Sequence, residues 1–288
     1  MKKFAQSSEI PDEDLPENFS WQDIDGYDFT DAPRDQGHCG SCYTFSYAGL
    51  IKNRLQVKYG KAMPQLSPQQ MMTCNYMTEG CDGGWAQFHG LFFKNAYMVD
   101  EQCAPYLGVT KGHHCSEYAE CEPIAKVKDV KFVGGGYGSA TEKAMMKEIM
   151  HSGAIEGEVD FPSYGHMYTS GVMTSNGMKD LHSKMVELAQ LSDAAKTLLT
   201  KEHKNTASSS EITLHDRGIE WQALNHSILV IGWGTDPKTQ LKYWIVRNSF
   251  GDTWGSDGNF MAERGADFIR IEGQSSAFDP VLCSEEKC

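Results

Sequence analysis

An α+β fold, with helices gathered in the first half of the chain and strands in the second, is what the order of residue patterns predicts for these 288 residues. Three observations carry the prediction. Apolar positions recur at helical spacing through Tyr43 to Leu55, directly after a cysteine. Ser67-Pro68 in the run Leu66 to Met72 places a capping hydroxyl before a proline at the first helical position. After about Val127 the pattern shortens into strand-like segments at Val130–Val133, Ile155–Phe161, Ser227–Gly232, Tyr243–Arg247 and Asn259–Ala262.

Two stretches fall outside that pattern. Residues 1–20 form an acidic, polar N-terminal lead, ending in Leu15-Pro16-Glu17-Asn18-Phe19-Ser20 before Trp21. Residues from about 174 to 222 form an insertion, with an amphipathic part (Asp180 to Leu199) and a polar, low-complexity part (Lys201 to Ser210) that is expected to be unstructured and open to proteolysis. The remainder, 21–288, divides into a first lobe of about 21–126 and a second of about 127–288. Asn18-Phe19-Ser20 and Asn225-His226-Ser227 both have the form of glycosylation acceptors, and we read the second as accidental.

Composition bounds the function. A formal charge of −13 and a pI near 5.2 argue against nucleic acid and anionic membrane surfaces as partners. No apolar run approaches the roughly 18 residues of a membrane span. Met1-Lys2-Lys3 leads into polar residues and no apolar signal core follows, so a signal peptide is not expected in this chain. Nine cysteines in a chain of this kind point to an oxidised protein with one thiol left over, and Cys42 is the candidate. That usage suits the lysosome, a vacuole or the secretory pathway.

The chemistry concentrates in three motifs. In Gln36-Gly37-His38-Cys39-Gly40-Ser41-Cys42-Tyr43-Thr44-Phe45-Ser46 a cysteine opens a helix, where the positive end of the macrodipole favours thiolate over thiol. Gln36 can offer a side-chain N–H to an oxygen gaining charge in acyl transfer. Asn225-His226-Ser227-Ile228-Leu229-Val230-Ile231-Gly232-Trp233-Gly234 places a histidine at the entrance of an apolar strand, and Tyr243 to Gly255 reads as a strand followed by a glycine-rich aromatic loop carrying Asn248. Taken alone, Cys39-Gly40-Ser41-Cys42 also fits a thiol–disulfide oxidoreductase, and His113-His114-Cys115 with Cys121 fits part of a zinc site.

Together, in this order, the three motifs resemble those of the papain-like cysteine proteases. The resemblance implies a two-lobe α+β fold, with a helical left lobe and a β-barrel-like right lobe flanking the active-site cleft. It implies Cys42 as nucleophile, His226 as general base and acid, Asn248 as the amide that fixes the imidazole tautomer, and Gln36 as oxyanion donor. It further implies disulfides Cys39–Cys81, Cys74–Cys115 and Cys103–Cys121, with Cys283 and Cys288 paired or free. Gly83, Gly84 and the carbonyl of Asn225 would pair with an extended peptide substrate. Phe250 stands where the family carries a tryptophan that shields the His–Asn pair.

Within the family the resemblance is strongest to the cathepsin C, or dipeptidyl peptidase I, branch. It rests on Tyr43 after the nucleophile, Val133-Gly134-Gly135-Gly136-Tyr137-Gly138 and Tyr243-Trp244-Ile245-Val246-Arg247-Asn248. The expected activity is release of dipeptides from peptides and proteins; the alternative is endopeptidase cleavage by a chain without the exclusion domain of that branch. That domain, or a propeptide, is the expected protein partner. No metal and no organic cofactor is implied. The branch binds chloride through two tyrosines, and Gln87 and Phe132 stand in their places here, which argues against chloride.

Overall fold

The computed structural model describes residues 5–177 and 224–288. Helix α1 (Cys42–Tyr59) continues beyond the periodic segment to Gly60, whose φ of 63° lets its N–H close on Gln56 O at 2.8 Å as a left-handed cap. Helix α2 (Pro68–Cys74) starts as its sequence indicates, with Ser67 Oγ accepting the Gln70 N–H at 3.0 Å. Helix α3 (Ala86–Phe92) completes the helices of the first half.

Strands β1 (Phe19–Ser20), β2 (Ala125–Phe132), β3 (Ile155–Val159), β4 (Val172–Met173), β5 (His226–Thr235), β6 (Lys242–Arg247), β7 (Asn259–Glu263) and β8 (Ser275–Leu282) follow in chain order. The sheet runs β2-β8-β3-β5-β6-β7 with antiparallel pairings. β5 is buried along nearly its whole length because both edges are paired. On one edge lie β3, against residues 226–230, and then β1 against 232–233; β6 takes the other. A Cβ at Gly232 would come within 2.2 Å of Phe19 O, so β1 can close this edge only beside a glycine. The main core lies between α1 and the sheet, where Tyr47, Leu50, Ile51 and Leu55 meet Leu229, Ile231 and Phe278.

Besides the two-residue strands β1 and β4, two longer elements were not expected from the sequence. β8 carries Asp279 and Pro280, which weaken its strand signal; it pairs with β2 across a register shift between Val127 and Asp129. Helix α4 (Glu142–Ser152) falls where only strands were anticipated, capped by Thr141 Oγ1 accepting the Ala144 N–H and burying Met145, Met146 and Ile149. The lead docks on the domain: Ile10 is buried, Ser7 Oγ donates to Glu148 at 2.6 Å, and Trp233 Nε1 donates to Pro16 O at 3.0 Å. Asn18 Oδ1 accepts the Thr235 N–H at 2.9 Å.

Disulfides join Cys39–Cys81, Cys74–Cys115, Cys103–Cys121 and Cys283–Cys288. The zinc and C-x-x-C oxidoreductase readings lose their ligands to these bridges, since Cys39 pairs away from Cys42 and both Cys115 and Cys121 are oxidised. The chain divides into two compact units, 1–172 with 223–288, and 173–222. From residue 178 onward the expected insertion of about 174–222 lies outside the described residues, as does the polar run 201–210.

Candidate active site

Cys42 is the first residue of α1 and the one cysteine without a disulfide. The turn before it is fixed by the Cys39–Cys81 bridge and by Gly40 N–H donating to Cys81 O at 2.9 Å. A Cβ at Gly40 would lie 2.6 Å from that oxygen, so the approach requires glycine. The thiol lies against the backbone N–H of Ser227, the residue after His226. Burial pushes it up; the N–H groups of Ser227, Tyr43 and Cys42 itself pull it back, and Glu156 adds to the rise. Desolvation thus opposes the thiolate that the helix terminus is expected to favour, and the donors facing the thiol support it.

His226 begins β5, and its ring Nε2 is 2.7 Å from Asn248 Oδ1 at the end of β6. An amide oxygen only accepts, so Nε2 carries the proton and Nδ1 is left to exchange one. The same Oδ1 accepts the Ser249 N–H at 2.9 Å, which fixes the amide's orientation. Phe250 stacks on the imidazole with centroids 5.1 Å apart and planes at 29°, and Phe161 packs at 5.2 Å. Burial lowers His226 to about 4, against the opposing bond to Asn248, with His166 lowering it further. Each group alone is thus held neutral; a proton passing from thiol to Nδ1 would create two charges whose mutual attraction offsets their burial.

Gln36 is anchored at both ends of its amide. Its Nε2 donates to Cys39 O at 2.9 Å, and its Oε1 accepts the Ser249 Oγ–H at 2.6 Å, linking the loop before Cys42 to the loop after Asn248. The substrate-pairing candidates are placed as follows. Gly83, at φ 122°, accepts the Glu79 N–H through its carbonyl at 2.9 Å. Gly84 has no room for a side chain, since a Cβ would sit 2.7 Å from the Tyr43 ring. The Asn225 side chain clamps the following loop, accepting Phe161 N–H at 2.7 Å and donating to Phe161 O at 3.0 Å. Gln87 donates to Ser276 Oγ, and Phe132 pairs with Ser276 across β2 and β8, so the two candidate chloride neighbours converge on one serine.

Sequence reasoning missed several neighbours of the site. His166 stacks on Phe250 at 4.8 Å, and its carbonyl accepts Trp254 Nε1–H at 3.0 Å. Ser227, Glu156 and Glu158 form a buried polar group beside Cys42. The one available signal was Glu-x-Glu inside Ile155-Glu156-Gly157-Glu158-Val159, a strand otherwise suited to full burial.

Residues 15–191 and 203–278 match the model of the papain family cysteine proteases. Cathepsin C of Schistosoma mansoni is 28% identical over 272 residues, covering 93% of this chain and 52% of that protein. Dipeptidyl aminopeptidase 1 of Plasmodium falciparum is 26% identical (94% and 45% covered), and pro-cathepsin H of Bos taurus 28% identical (88% and 62% covered). The chain therefore spans about half the length of the curated relatives it matches. Among solved structures, digestive procathepsin L 3 of Tenebrio molitor superposes with a TM-score of 0.68 at 21% identity, covering 95% of this chain and 72% of that one. Bromelain of Ananas comosus, in complex with the E64 inhibitor, superposes at 0.66 and 23% identity, with 92% and 99% covered. Fold, motif order and a family match over most of its length agree, and the chain belongs to the papain family of cysteine proteases.

Proposed function

We propose that this cysteine peptidase works through Cys42, His226, Asn248 and Gln36. The observation that carries the reading is the 2.7 Å bond between His226 Nε2 and Asn248 Oδ1, because it leaves Nδ1 as the base. The Cys42 proton passes to Nδ1 as the sulfur bonds to the substrate carbonyl carbon. The oxygen gains charge facing the Cys42 N–H and the Gln36 amide. The imidazolium then protonates the amine as the C–N bond breaks, and a water, deprotonated by the same nitrogen, displaces the thiol from the acyl-enzyme. Gly83, Gly84 and the Asn225 carbonyl pair with the substrate backbone. Labelling with an epoxysuccinyl inhibitor followed by peptide mapping tests the assignment: one adduct on Cys42, concurrent with loss of activity, is expected, and an adduct elsewhere refutes it.

The finer reading is a cathepsin C-like dipeptidyl aminopeptidase of a lysosomal, vacuolar or secreted compartment. Two of the relatives above, from Schistosoma mansoni and Plasmodium falciparum, support it. In this reading the complete protein closes the cleft with an added domain whose carboxylate pairs with the substrate ammonium. The second reading, supported by similarity to a cathepsin H precursor, is another cathepsin-type specificity. Comparing a free-amine dipeptide amide with its N-acetylated form on these 288 residues separates them. Cleavage of both forms is expected of the chain alone, with free-amine preference restored by the added domain. Strong preference without it would sink this account.

A further inference from the structure

Glu156 and Glu158 lie on the same face of β3, both almost wholly removed from solvent, and their carboxyl groups face each other within hydrogen-bonding reach. Glu156 Oε1 accepts Ser227 Oγ–H at 2.8 Å, and Ser227 Oγ in turn is 2.6 Å from Ser46 Oγ, one turn beyond Cys42 on α1. Glu158 is paired with Ser227 across the β3–β5 ladder and accepts the Ala86 N–H at the start of α3. Glu156 Oε2 and Glu158 Oε1 have no other partner. From the surrounding elements, α1 presents the Cys42 thiol, β5 presents Ser227, α3 a backbone N–H, and β8 places Ser276 opposite Glu156. No lysine, arginine or histidine is among the groups that act most strongly on the pair. Two carboxylates buried side by side without a cation would repel, and a proton between them is what satisfies both orphaned oxygens.

We propose that Glu156 and Glu158 share a proton and act as positioning residues for Cys42, the charge of the pair setting how readily the thiol ionises. The proposal rests on the reading of Cys42 as nucleophile. Ser227 is the connecting residue: its backbone N–H faces the thiol while its hydroxyl holds Glu156. The field of Glu156 reaches Cys42, whereas His226 responds to Asn248 and His166. Burial raises Glu156 to about 7, and burial together with the neighbouring Glu156 carboxyl raises Glu158 well above the usual carboxylate range. A carboxyl with a raised value is neutral below it, so the pair gains negative charge as the pH passes neutrality. A new anion beside the thiol then opposes thiolate formation, which favours the nucleophile on the acidic side of neutral.

The test is the rate at which iodoacetamide alkylates Cys42, read by mass spectrometry from about pH 4 to about pH 9, in wild type, Glu156→Gln, Glu158→Gln and Ser227→Ala. Alkylation reports the thiol whether or not peptides are cleaved, so failure here is separable from failure of the catalytic assignment, which Cys42→Ala addresses. Glu156→Gln should match wild type near pH 5.5 and react about tenfold faster above neutrality, the factor for one pKa unit. Ser227→Ala should show a smaller change in the same sense. Superimposable profiles overturn the proposal, as does a uniform change at all pH values, which is the mark of a structural defect. Should the variants not fold, infrared titration of the wild type decides: a protonated-carboxyl band is expected near pH 6, where exposed glutamates are ionised, and its absence overturns the shared proton.

Discussion

Cys42 opens an 18-residue helix beside a disulfide, whereas His226 opens a strand laddered to β3 and lies against a set of aromatic rings. Three of the four disulfides lie between residues 39 and 121, and the fourth closes a short loop at Cys283 and Cys288. The strands that carry His226 and Asn248 have none. The surroundings of Cys42 include short segments that bury little apolar area, such as those around Gly80–Asp82 and Cys115–Tyr118, and covalent links replace that missing core. The imidazole's side has continuous sheet and needs no staple. The two sides of the proposed site are therefore held by different physics, and they should fail under different insults.

The largest expected effect is chemical. Cys42→Ala should remove detectable peptidase activity while leaving the thermal melt nearly unchanged; retained turnover would break the assignment of roles to the two sides. Asn248→Ala frees the His226 tautomer and should lower kcat by roughly 10²–10⁴-fold, with KM little altered in steady-state kinetics. Glu148 tests the helical side by pH. It is buried, yet Arg54 at 2.9 Å and Lys131 at 3.0 Å hold it at about 2 against that burial. Its folded value is depressed, so its contribution to stability is present above the ordinary value of 4.5 and is lost as the pH falls toward 2. Glu148→Gln should cost about 3–5 kcal/mol near neutrality and flatten the acid limb of urea-denaturation midpoints. Replacing Cys39 and Cys81 by serine should cost about 2–4 kcal/mol, and exchange protection should fall around α1 and α2 before it falls along β5 and β6. Equal loss along both would show that the comparison is wrong.

Much of this was written in the sequence at short range. The Cys42, His226 and Asn248 motifs announced themselves because each requires particular residues beside the reactive one, and Ser67-Pro68 marked α2 because capping is local. β8 and α4 were illegible for the opposite reason. β8 is a strand because β2 and β3 flank it, despite Asp279 and Pro280, and α4 exists because its methionines and Ile149 find a core. What acts on the thiol was not legible from the helix terminus alone, since the Ser227 N–H and the Glu156 carboxyl that bear on it lie far along the chain. The Glu156–Glu158 pair is long-range in the same sense: its character depends on what β5, α1 and α3 place around it.

With eight of nine cysteines locked in bridges, the folded chain exposes chemistry at a single sulfur. The protein thereby carries its own counting standard. A thiol reagent applied without reductant should be consumed in a one-to-one ratio with correctly oxidised molecules, and any excess would count chains in which a bridge has failed to close. Preparations can thus be graded by stoichiometry before a substrate is known, and every rate constant can be referred to competent sites instead of total protein.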